Sequence, residues 1–344
     1  MNKPVKHILV IRLSALGDVA MLIPVLRSAI NAHPHLRFTV LTRPFYQPLF
    51  EGLNNVSVYP TDLKGRHKGL LGLWRLTREI KKINPDAIAD CHNVLRTNII
   101  KLFSSIQVFT QIDKGRSDKR DLVSGKRFEQ LKTTHQRYAD VFRSLGIKVN
   151  LENAETHPKP QLTASLKSLL GDYRSLVGIA PYAAHQAKCY PLINIEEIIK
   201  VLTADHTIIL FGGGQEETKA LQKLADRYDR VINMAGKVSF KEELDVIGNL
   251  DLMIAMDSGN GHLAAAYGVQ TISVWGVTHP YAGFAPFNQD PENAILPDRT
   301  KFPLIPTSIY GNKVPKGYED AIASIKPEEI ISRAVKVLRD QTSS

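Results

Sequence analysis

Residues 251–280 contain the side chains best suited to hold a phosphate group. The apolar run 252–256 predicts a strand covered on both faces, and the turn residues 257–261 end it. A helix of small residues follows, so the backbone N–H groups of its first turn would point past the end of the strand. The positive end of the helix dipole favours an anion at that place. The sequence therefore predicts an anion site at Asp257, Ser258, Gly259 and Asn260.

Two neighbouring features favour anion binding over plain helix capping, which is the common role of an Asp–Ser pair. The predicted strand 271–275 runs into the loop 276–280, which would lie at the same edge of the sheet. His262 stands in a helix otherwise built from Leu263 and three alanines, where packing needs no imidazole. We therefore expect His262 to lie beside the anion, although capping or packing could also explain it.

The charge balance indicates an anionic partner. The chain has 344 residues, 44 Lys and Arg against 34 Asp and Glu, and a formal net charge of +10. Nucleic acid is the weakest candidate, because no helix-turn-helix, zinc-finger or RNP pattern is present and the basic stretch 114–132 has few aromatic neighbours. That leaves anionic lipid and phosphorylated substrates.

Composition predicts a cytoplasmic protein. The most apolar stretch, 8–26, contains Arg12 and Asp18 and is unsuited to span a bilayer, and the start does not have the pattern of a signal peptide. Two cysteines, Cys91 and Cys189, form neither a disulfide framework nor a metal cluster.

Alternating strand-like and helix-like segments predict an α/β protein with two Rossmann-like parallel-sheet domains facing across a cleft, where ligands would bind. The polar segment 153–163 contains two prolines and is the best linker. We expect an N-terminal domain at 1–155, a C-terminal domain at 164–320 and a final helical region, 321–344, that could pack back toward the first domain. The predicted strands are 7–13, 37–42, 87–90, 107–112, 176–180, 207–211, 231–233, 252–256 and 271–275, and the predicted helices are 19–32, 70–83, 130–145, 195–204, 215–228, 240–249 and 327–338.

Asp18 is the other candidate for chemistry. It follows the strand 8–13 at a predicted helix start, where spacing alone favours a capping or first-turn carboxylate. The loop lacks the GxGxxG pattern, which disfavours a nicotinamide-dependent dehydrogenase.

Two motifs, RLSALGDV at 12–19 and DSGNGHLAAAYG at 257–268, make the chain resemble the heptosyltransferases, glycosyltransferase family 9. Further family-like segments are DCHNVLRT at 90–97, HQRYADVFRSLG at 135–146 and KCYP at 188–191. The resemblance implies a GT-B fold and a metal-independent, inverting transfer of heptose from ADP-heptose to the inner core of lipopolysaccharide.

The resemblance also implies roles for single residues. Asp18 matches the catalytic aspartate and would act as general base, Lys188 would bind the diphosphate with the helix 258–262, and Asp257 would contact the heptose. Arg96 and Arg120 match basic positions on the acceptor side. No cofactor and no metal are expected.

The implied partners are a nucleotide-sugar donor, an anionic lipid-linked oligosaccharide acceptor and, transiently, an anionic membrane surface, with no nucleic acid. The protein would be peripheral at the inner face of the cytoplasmic membrane, with the basic stretch 114–132 of the N-terminal half docking there.

The chain departs from the family pattern at three places. Ala183, Ala184 and His185 stand where the family offers small hydroxyl residues, His92 and Asn93 replace a glycine-containing motif, and Glu242 or Glu243 is the nearest ribose-binding acid. Another nucleotide sugar is therefore possible as donor. A sugar-nucleotide 2-epimerase and a non-catalytic nucleotide-sugar-binding protein of envelope assembly are the alternatives, and a binding protein would need no base at Asp18.

Overall fold

The computed structural model describes residues 5–342 as two compact units, the first made of residues 5–114 and 134–156 and the second of 115–133 and 157–342. Numbered along the chain, the strands are β1 (His7–Ile11), β2 (Arg37–Thr42), β3 (Val56–Pro60), β4 (Ala87–Asp90), β5 (Val108–Gln111), β6 (Leu176–Ala180), β7 (Thr207–Leu210), β8 (Val231–Asn233), β9 (Leu252–Met256), β10 (Gln270–Val274) and β11 (Ala294–Ile295). The α-helices are α1 (Leu16–Ala20), α2 (Ile23–Ala32), α3 (Gly69–Ile83), α4 (Leu95–Phe103), α5 (Arg116–Val123), α6 (Thr134–Arg143), α7 (Ala164–Leu170), α8 (Leu192–Leu202), α9 (Gln215–Ala225), α10 (Phe240–Ile247), α11 (Gly259–Ala266) and α12 (Pro327–Thr342).

The first unit is a parallel sheet in the order β3-β2-β1-β4-β5. The strand order reverses direction at β1, so right-handed connections place the helices before and after the reversal on opposite faces. Accordingly, α2 packs with α6 and α3 packs with α4. All five residues of β1 are buried. Because the strands are parallel, the loops that follow them gather at one carboxyl edge.

The second unit is a parallel sheet in the order β11-β10-β9-β6-β7-β8. Helix α12 packs on α8, β9 and β10, and its Ile330 and Ala334 are buried in the same core as Val274. The contacts of the final helix thus lie in the second unit. The α/β prediction with two parallel sheets is confirmed. No helix within residues 5–342 is long and apolar enough to cross a bilayer.

The segment 115–133 belongs to a different unit from the one expected from the sequence. It lies between β5 and α6 in the sequence, but it packs on the second unit. Leu122 and Leu131 are buried against Ala282, and the Leu131 N–H donates to the Tyr281 carbonyl at 2.9 Å. The basic stretch that was expected on the N-terminal half therefore belongs to the second unit, because its apolar side chains are buried there.

Helix and strand limits differ in places for local reasons. The predicted helix 19–32 is two helices, α1 and α2, and Pro24 lies at the start of the second. The elements β3, α4, α5, α7 and β11 were not predicted. Strand β3 is an edge strand with no fully buried residue, so it lacks an apolar run.

Gly248, the C-cap residue that follows α10, tests how tightly the linker packs on the second unit. Its φ of −68° is helical, so alanine there would ordinarily stabilise the protein by about 0.5–1 kcal/mol. An added Cβ, however, would lie 2.5 Å from Pro160 Cδ and 2.8 Å from Tyr267 Cδ1, both atoms of rigid rings. We expect Gly248→Ala to lower the free energy of unfolding by about 1–3 kcal/mol, measured by urea denaturation.

Gly213→Ala is the matched control, because a Cβ at Gly213 would meet no heavy atom within 4 Å. We expect it to change the stability by less than about 0.5 kcal/mol. A stabilised Gly248→Ala protein would contradict the packing of the linker on α10.

Candidate active site

Asp18 lies in the first turn of α1, at the carboxyl edge of the first sheet. Its Oδ2 forms an ion pair with Arg12 and accepts the Ala15 N–H at 3.2 Å. Among the described residues, no hydrogen-bond donor meets Oδ1, and the side chain is 27% exposed. Asp18 thus caps its helix through one oxygen, and the other oxygen is open to take a proton.

Arg12 and Tyr138 hold this carboxylate in place. Arg12 is buried and donates to the Cys91 carbonyl at 2.8 Å, with its guanidinium 5.8 Å from the centre of the Tyr138 ring. The Tyr138 hydroxyl donates to the backbone carbonyl of Asp18 at 3.2 Å. Burial raises the pKa of Tyr138 well above its ordinary value, so the phenol remains a donor. Sequence reasoning assigned neither residue a role, although an arginine directly after a fully buried strand was a usable signal.

His92 lies in the neighbouring loop, after β4. Asp90, the last residue of β4, accepts the N–H groups of His92 and Asn93, each at 2.9 Å. The imidazole Nδ1 of His92 accepts the Leu13 N–H at 3.4 Å. Burial is the largest cause that lowers the pKa of His92 to about 3, and four nearby cations contribute to the same shift: Arg12, Lys114, Arg43 and Arg96. This group of cations, which we call the cationic edge, follows strands β1, β2, β4 and β5 of the first sheet.

The two predicted acceptor residues lie in different units. Arg96 is exposed at the start of α4 and belongs to the cationic edge. Arg120 is exposed on α5, which is part of the second unit. Arg43 was not predicted from the sequence.

In the second unit, the residue predicted to bind the diphosphate, Lys188, forms an ion pair with the residue predicted to bind the sugar, Asp257. Lys188 Nζ lies 2.9 Å from Asp257 Oδ2, and each side chain is only 11% exposed. The Thr278 hydroxyl donates to the same oxygen at 2.8 Å. Within the described residues Asp257 Oδ1 accepts no hydrogen bond, so it can accept one from a ligand. The loop 276–280 was predicted to share this site, and it does so through Thr278.

Two glycines allow the lysine to reach this position. A Cβ at Gly276 would lie 2.1 Å from the Ala187 carbonyl oxygen. A Cβ at Gly311 would lie 2.5 Å from Lys188 Cδ, and Gly311 also has a φ of +80°. The backbone at Gly276 therefore packs directly on Ala187, and the backbone at Gly311 packs directly on Lys188, which carries the ammonium group.

The start of α11 has the expected form of an anion site. Ser258 is its N-cap, and Gly259 and Asn260 are the first helical residues. Ser258 Oγ is buried and makes no hydrogen bond to the described residues, so the hydroxyl can serve a ligand. His262 is buried in the same helix.

Glu242 and Glu243 have different environments. The Glu242 carboxylate accepts the Ser239 N–H at 2.8 Å and the Ser239 hydroxyl at 2.7 Å, so it closes the N-cap of α10. Among the described residues no hydrogen-bond or ion-pair partner meets the Glu243 carboxyl, and burial raises its pKa to about 7. Glu243 is therefore the carboxyl that still needs a partner.

The buried imidazole of His92 makes stability depend on pH. Its pKa is about 3 in the folded protein and near 6.5 in the unfolded chain, so the unfolded state binds the extra proton between these values. Stability should therefore fall as the pH drops below about 6.5. We expect the wild type to lose about 2 kcal/mol more than His92→Asn between pH 7 and 4.5, measured by urea denaturation.

His35→Asn, at an exposed position, is the control and should follow the wild-type curve. Parallel curves for the wild type and His92→Asn would show that His92 is not buried as a neutral ring.

Comparison with known proteins identifies the family of this chain. The sequence pattern described as glycosyltransferase family 9 (heptosyltransferase) matches residues 73–302. A lipopolysaccharide core heptosyltransferase of Haemophilus influenzae, OpsX, is 24% identical over 295 residues, which is 82% of each chain.

Solved structures share the fold. A family 9 glycosyl transferase from Veillonella parvula superposes with a TM-score of 0.77 at 20% identity, over 99% of each chain. The E. coli ADP-heptose lps heptosyltransferase II superposes with a TM-score of 0.69 at 18% identity, over 98% of this chain and 99% of the other. The fold is therefore that of the GT-B heptosyltransferases. Because the family pattern covers most of the chain, the protein belongs to glycosyltransferase family 9, the heptosyltransferases.

Proposed function

We propose that this glycosyltransferase transfers a heptose from ADP-heptose to the inner core of lipopolysaccharide, with inversion and without a metal ion. The observation that carries the proposal is the Asp18 carboxylate, fixed through Oδ2 by Arg12 and open at Oδ1. A base held in one orientation is what deprotonation of an acceptor hydroxyl needs, and a protein that only binds sugars has no use for it.

The donor assignment is supported by charge. A nucleoside diphosphate carries negative charge that grows as it leaves, and Lys188 with the first turn of α11 can stabilise that charge. These groups supply the positive charge that a divalent ion would otherwise bring. The Haemophilus influenzae relative is named as a lipopolysaccharide core heptosyltransferase, which supports heptose as the sugar.

The proposed reaction is a single displacement. The acceptor oxygen forms a bond to the anomeric carbon of the heptose as the bond from that carbon to the diphosphate oxygen breaks. The hydroxyl proton goes to Asp18, and the electron pair leaves with the nucleoside diphosphate. Attack on the face opposite the leaving group inverts the anomeric centre.

Hydroxyl groups of the donor are assigned to the two carboxyls that still have an open oxygen. Asp257 Oδ1 can accept a sugar hydroxyl while Oδ2 stays bound to Lys188 and Thr278. Glu243 takes the ribose role for which Glu242 was the first candidate, because the Glu242 carboxylate already caps α10. A donor hydroxyl would satisfy a half-buried carboxyl that otherwise has no partner among the described residues.

The acceptor is proposed to be anionic and lipid-linked. The cationic edge offers guanidinium groups at Arg43 and Arg96, which bind carboxylates and phosphates in bidentate geometry. Arg120 stays a proposed acceptor contact through the family motif alone. A lipid-linked acceptor places the enzyme at a membrane surface, which we propose to be the inner face of the cytoplasmic membrane.

The direct test is product analysis. The purified protein is incubated with a panel of nucleotide sugars and a delipidated inner-core oligosaccharide, and the products are weighed by mass spectrometry. We expect the oligosaccharide to gain the mass of one heptose when ADP-heptose is the nucleotide sugar, and to gain no mass with the other nucleotide sugars of the panel. Isomerisation of the nucleotide sugar without transfer, which leaves the mass unchanged and is detected by NMR, would instead identify an epimerase.

Asp18→Asn tests the base. Asparagine keeps the size of the side chain and can still accept the Ala15 N–H, but it cannot take the proton. We expect kcat to fall by roughly 10²-fold or more with little change in donor affinity, measured by steady-state kinetics and calorimetry. Asp118→Asn, in the first turn of α5, is the matched control and should keep wild-type turnover. Near-normal turnover of Asp18→Asn would remove the assignment.

Lys188→Met tests the diphosphate site. Methionine keeps an apolar stem to pack against Gly311 and removes the charge. We expect the affinity for ADP to fall by about 1.5–3 kcal/mol, the scale of a hydrogen bond to a charged group, measured by calorimetry. Lys223→Ala, an exposed lysine of α9, serves as control. A thermal melt checks folding, since Asp257 loses its partner, and unchanged ADP affinity in a folded variant would contradict the role of Lys188.

A further inference from the structure

Helix α3 of the first unit presents large apolar side chains to solvent. Leu70 is 67% exposed, Leu71 is 83% exposed and Trp74 is 48% exposed, all within its first two turns. Leu95, at the start of the adjacent helix α4, is 76% exposed. Several large apolar side chains exposed side by side on a folded domain commonly mark a surface that contacts another molecule.

Basic side chains share the exposed side of α3 with these residues. In a helix of 3.6 residues per turn, positions 70, 71, 74, 75, 78, 81 and 82 fall on one side. Four of these are exposed cations, namely Arg75, Arg78, Lys81 and Lys82, and exposed Lys64 and Lys68 precede the helix. The Arg78 guanidinium lies 4.8 Å from the centre of the Trp74 ring. We call residues 64, 68, 70, 71, 74, 75, 78, 81, 82 and 95 the apolar–basic face.

The chain around this face is well anchored, so the exposure does not come from a frayed end. Glu79 is the only acidic residue of α3, and it is turned inward, where it accepts from the Tyr59 hydroxyl at 2.7 Å and bonds His67 Nε2 at 2.9 Å. The Asp62 carboxylate accepts the N–H groups of residues 64, 65 and 66, which fixes the loop before the helix. A Cβ at Gly72 would lie 2.3 Å from the His67 carbonyl carbon, so loop and helix touch.

The face begins at the edge of the sheet that carries Asp18. Helices α3 and α4 follow strands β3 and β4, so their first turns lie at the carboxyl edge of the parallel sheet. Leu70, Leu71 and Leu95 are in those first turns. Arg96, next to Leu95, belongs to the cationic edge.

We propose that the apolar–basic face docks on an anionic phospholipid bilayer, with Leu70, Leu71 and Trp74 entering the headgroup region and the flanking cations contacting lipid phosphates. A mixture of leucine, an interfacial tryptophan and cations is the composition of surfaces that lie in a membrane interface. The proposal rests on the proposed function in one respect, namely that a lipid-linked acceptor gives the enzyme a reason to be there.

Charge decides between a bilayer and a second copy of the chain. Two copies meeting through this face would bring like charges together, because all its charged side chains are cations, whereas anionic lipid pairs with each of them. Each cation near an anionic surface adds about a fivefold increase in partitioning at low salt.

Tryptophan fluorescence provides the test on the full chain, without any sugar nucleotide. The two tryptophans are Trp74 and Trp275, and Trp275 is 1% exposed and so insensitive to lipid. Vesicles of phosphatidylglycerol and phosphatidylcholine should shift the emission to the blue, and bromine-labelled lipid should quench it. Pure phosphatidylcholine vesicles should give little change. Trp74→Phe should abolish the response.

The variants separate the candidate surfaces. Leu70→Ser with Leu71→Ser should weaken vesicle partitioning by roughly tenfold or more, and Lys81→Gln with Lys82→Gln by roughly 25-fold at low salt. Ile193→Ser, at a 62% exposed position of α8, is the apolar control, and Lys126→Gln with Arg127→Gln in the basic stretch is the charge control. Both controls should bind vesicles as the wild type does.

Equal partitioning of the wild type and the leucine variant would overturn the proposal, and so would loss of binding only in the Lys126–Arg127 variant. A blue shift that depends on protein concentration without lipid would show self-association through this face instead. Heptose transfer to the delipidated oligosaccharide should be the same in the leucine variant and the wild type. If the protein does not bind vesicles, the transferase assignment therefore stands. If it binds vesicles but transfers no heptose, the docking proposal stands.

Discussion

The proposed donor site of the second unit depends on a buried ion pair between Lys188 and Asp257. Such a pair loses hydration on both charges, and it persists only if the remaining hydrogen bonds are made. Thr278 supplies one of them from the loop after β10, and Gly276 and Gly311 let the neighbouring backbone approach the lysine. Two loops, 276–280 and the one that contains Gly311, thus pack against this pair of charges. For the proposed donor, the consequence is an ammonium group and an open carboxylate oxygen that are positioned before the diphosphate sugar binds.

The first unit holds a half-buried carboxylate, Asp18, in one orientation. The proposed role of Asp18 as general base needs this fixed orientation together with access for an acceptor. The buried Arg12 achieves this by binding one oxygen, while its own position is fixed by the Cys91 carbonyl and the Tyr138 ring. Because Arg12 also belongs to the cations around His92, the residue that orients the base contributes to the field that would attract an anionic acceptor. In the proposed mechanism, Arg12 therefore contributes both to proton transfer and to attraction of the acceptor.

Sequence patterns predicted the parts of the fold that depend on local composition. The strands 87–90, 176–180, 231–233 and 252–256 have the predicted limits, because runs of apolar residues are visible without knowledge of the neighbours. The edge strand β3 and the break between α1 and α2 were missed, since pairing and packing decide them. The motif residues Asp18, Lys188 and Asp257 were predicted as site residues, but their partners Arg12 and Thr278 were not assigned a role, because only the folded chain brings them together. Glu242 and Glu243 show the limit most clearly, since adjacent acids in one helix turn have opposite environments.

Charge is the property that the sequence locates least well. The stretch 114–132 has a high density of cations, and it was the expected docking site. In the fold Arg127 pairs with Glu129, Lys126 lies 4.0 Å from Asp121, and Lys119 lies 4.2 Å from the centre of the Phe284 ring. On α3 the basic residues are no denser, but the one acid of the helix is turned inward, so the outward face keeps only cations and apolar groups. The surface that we propose for membrane docking thus depends on where the carboxylates point, which a count of charges along the chain does not reveal.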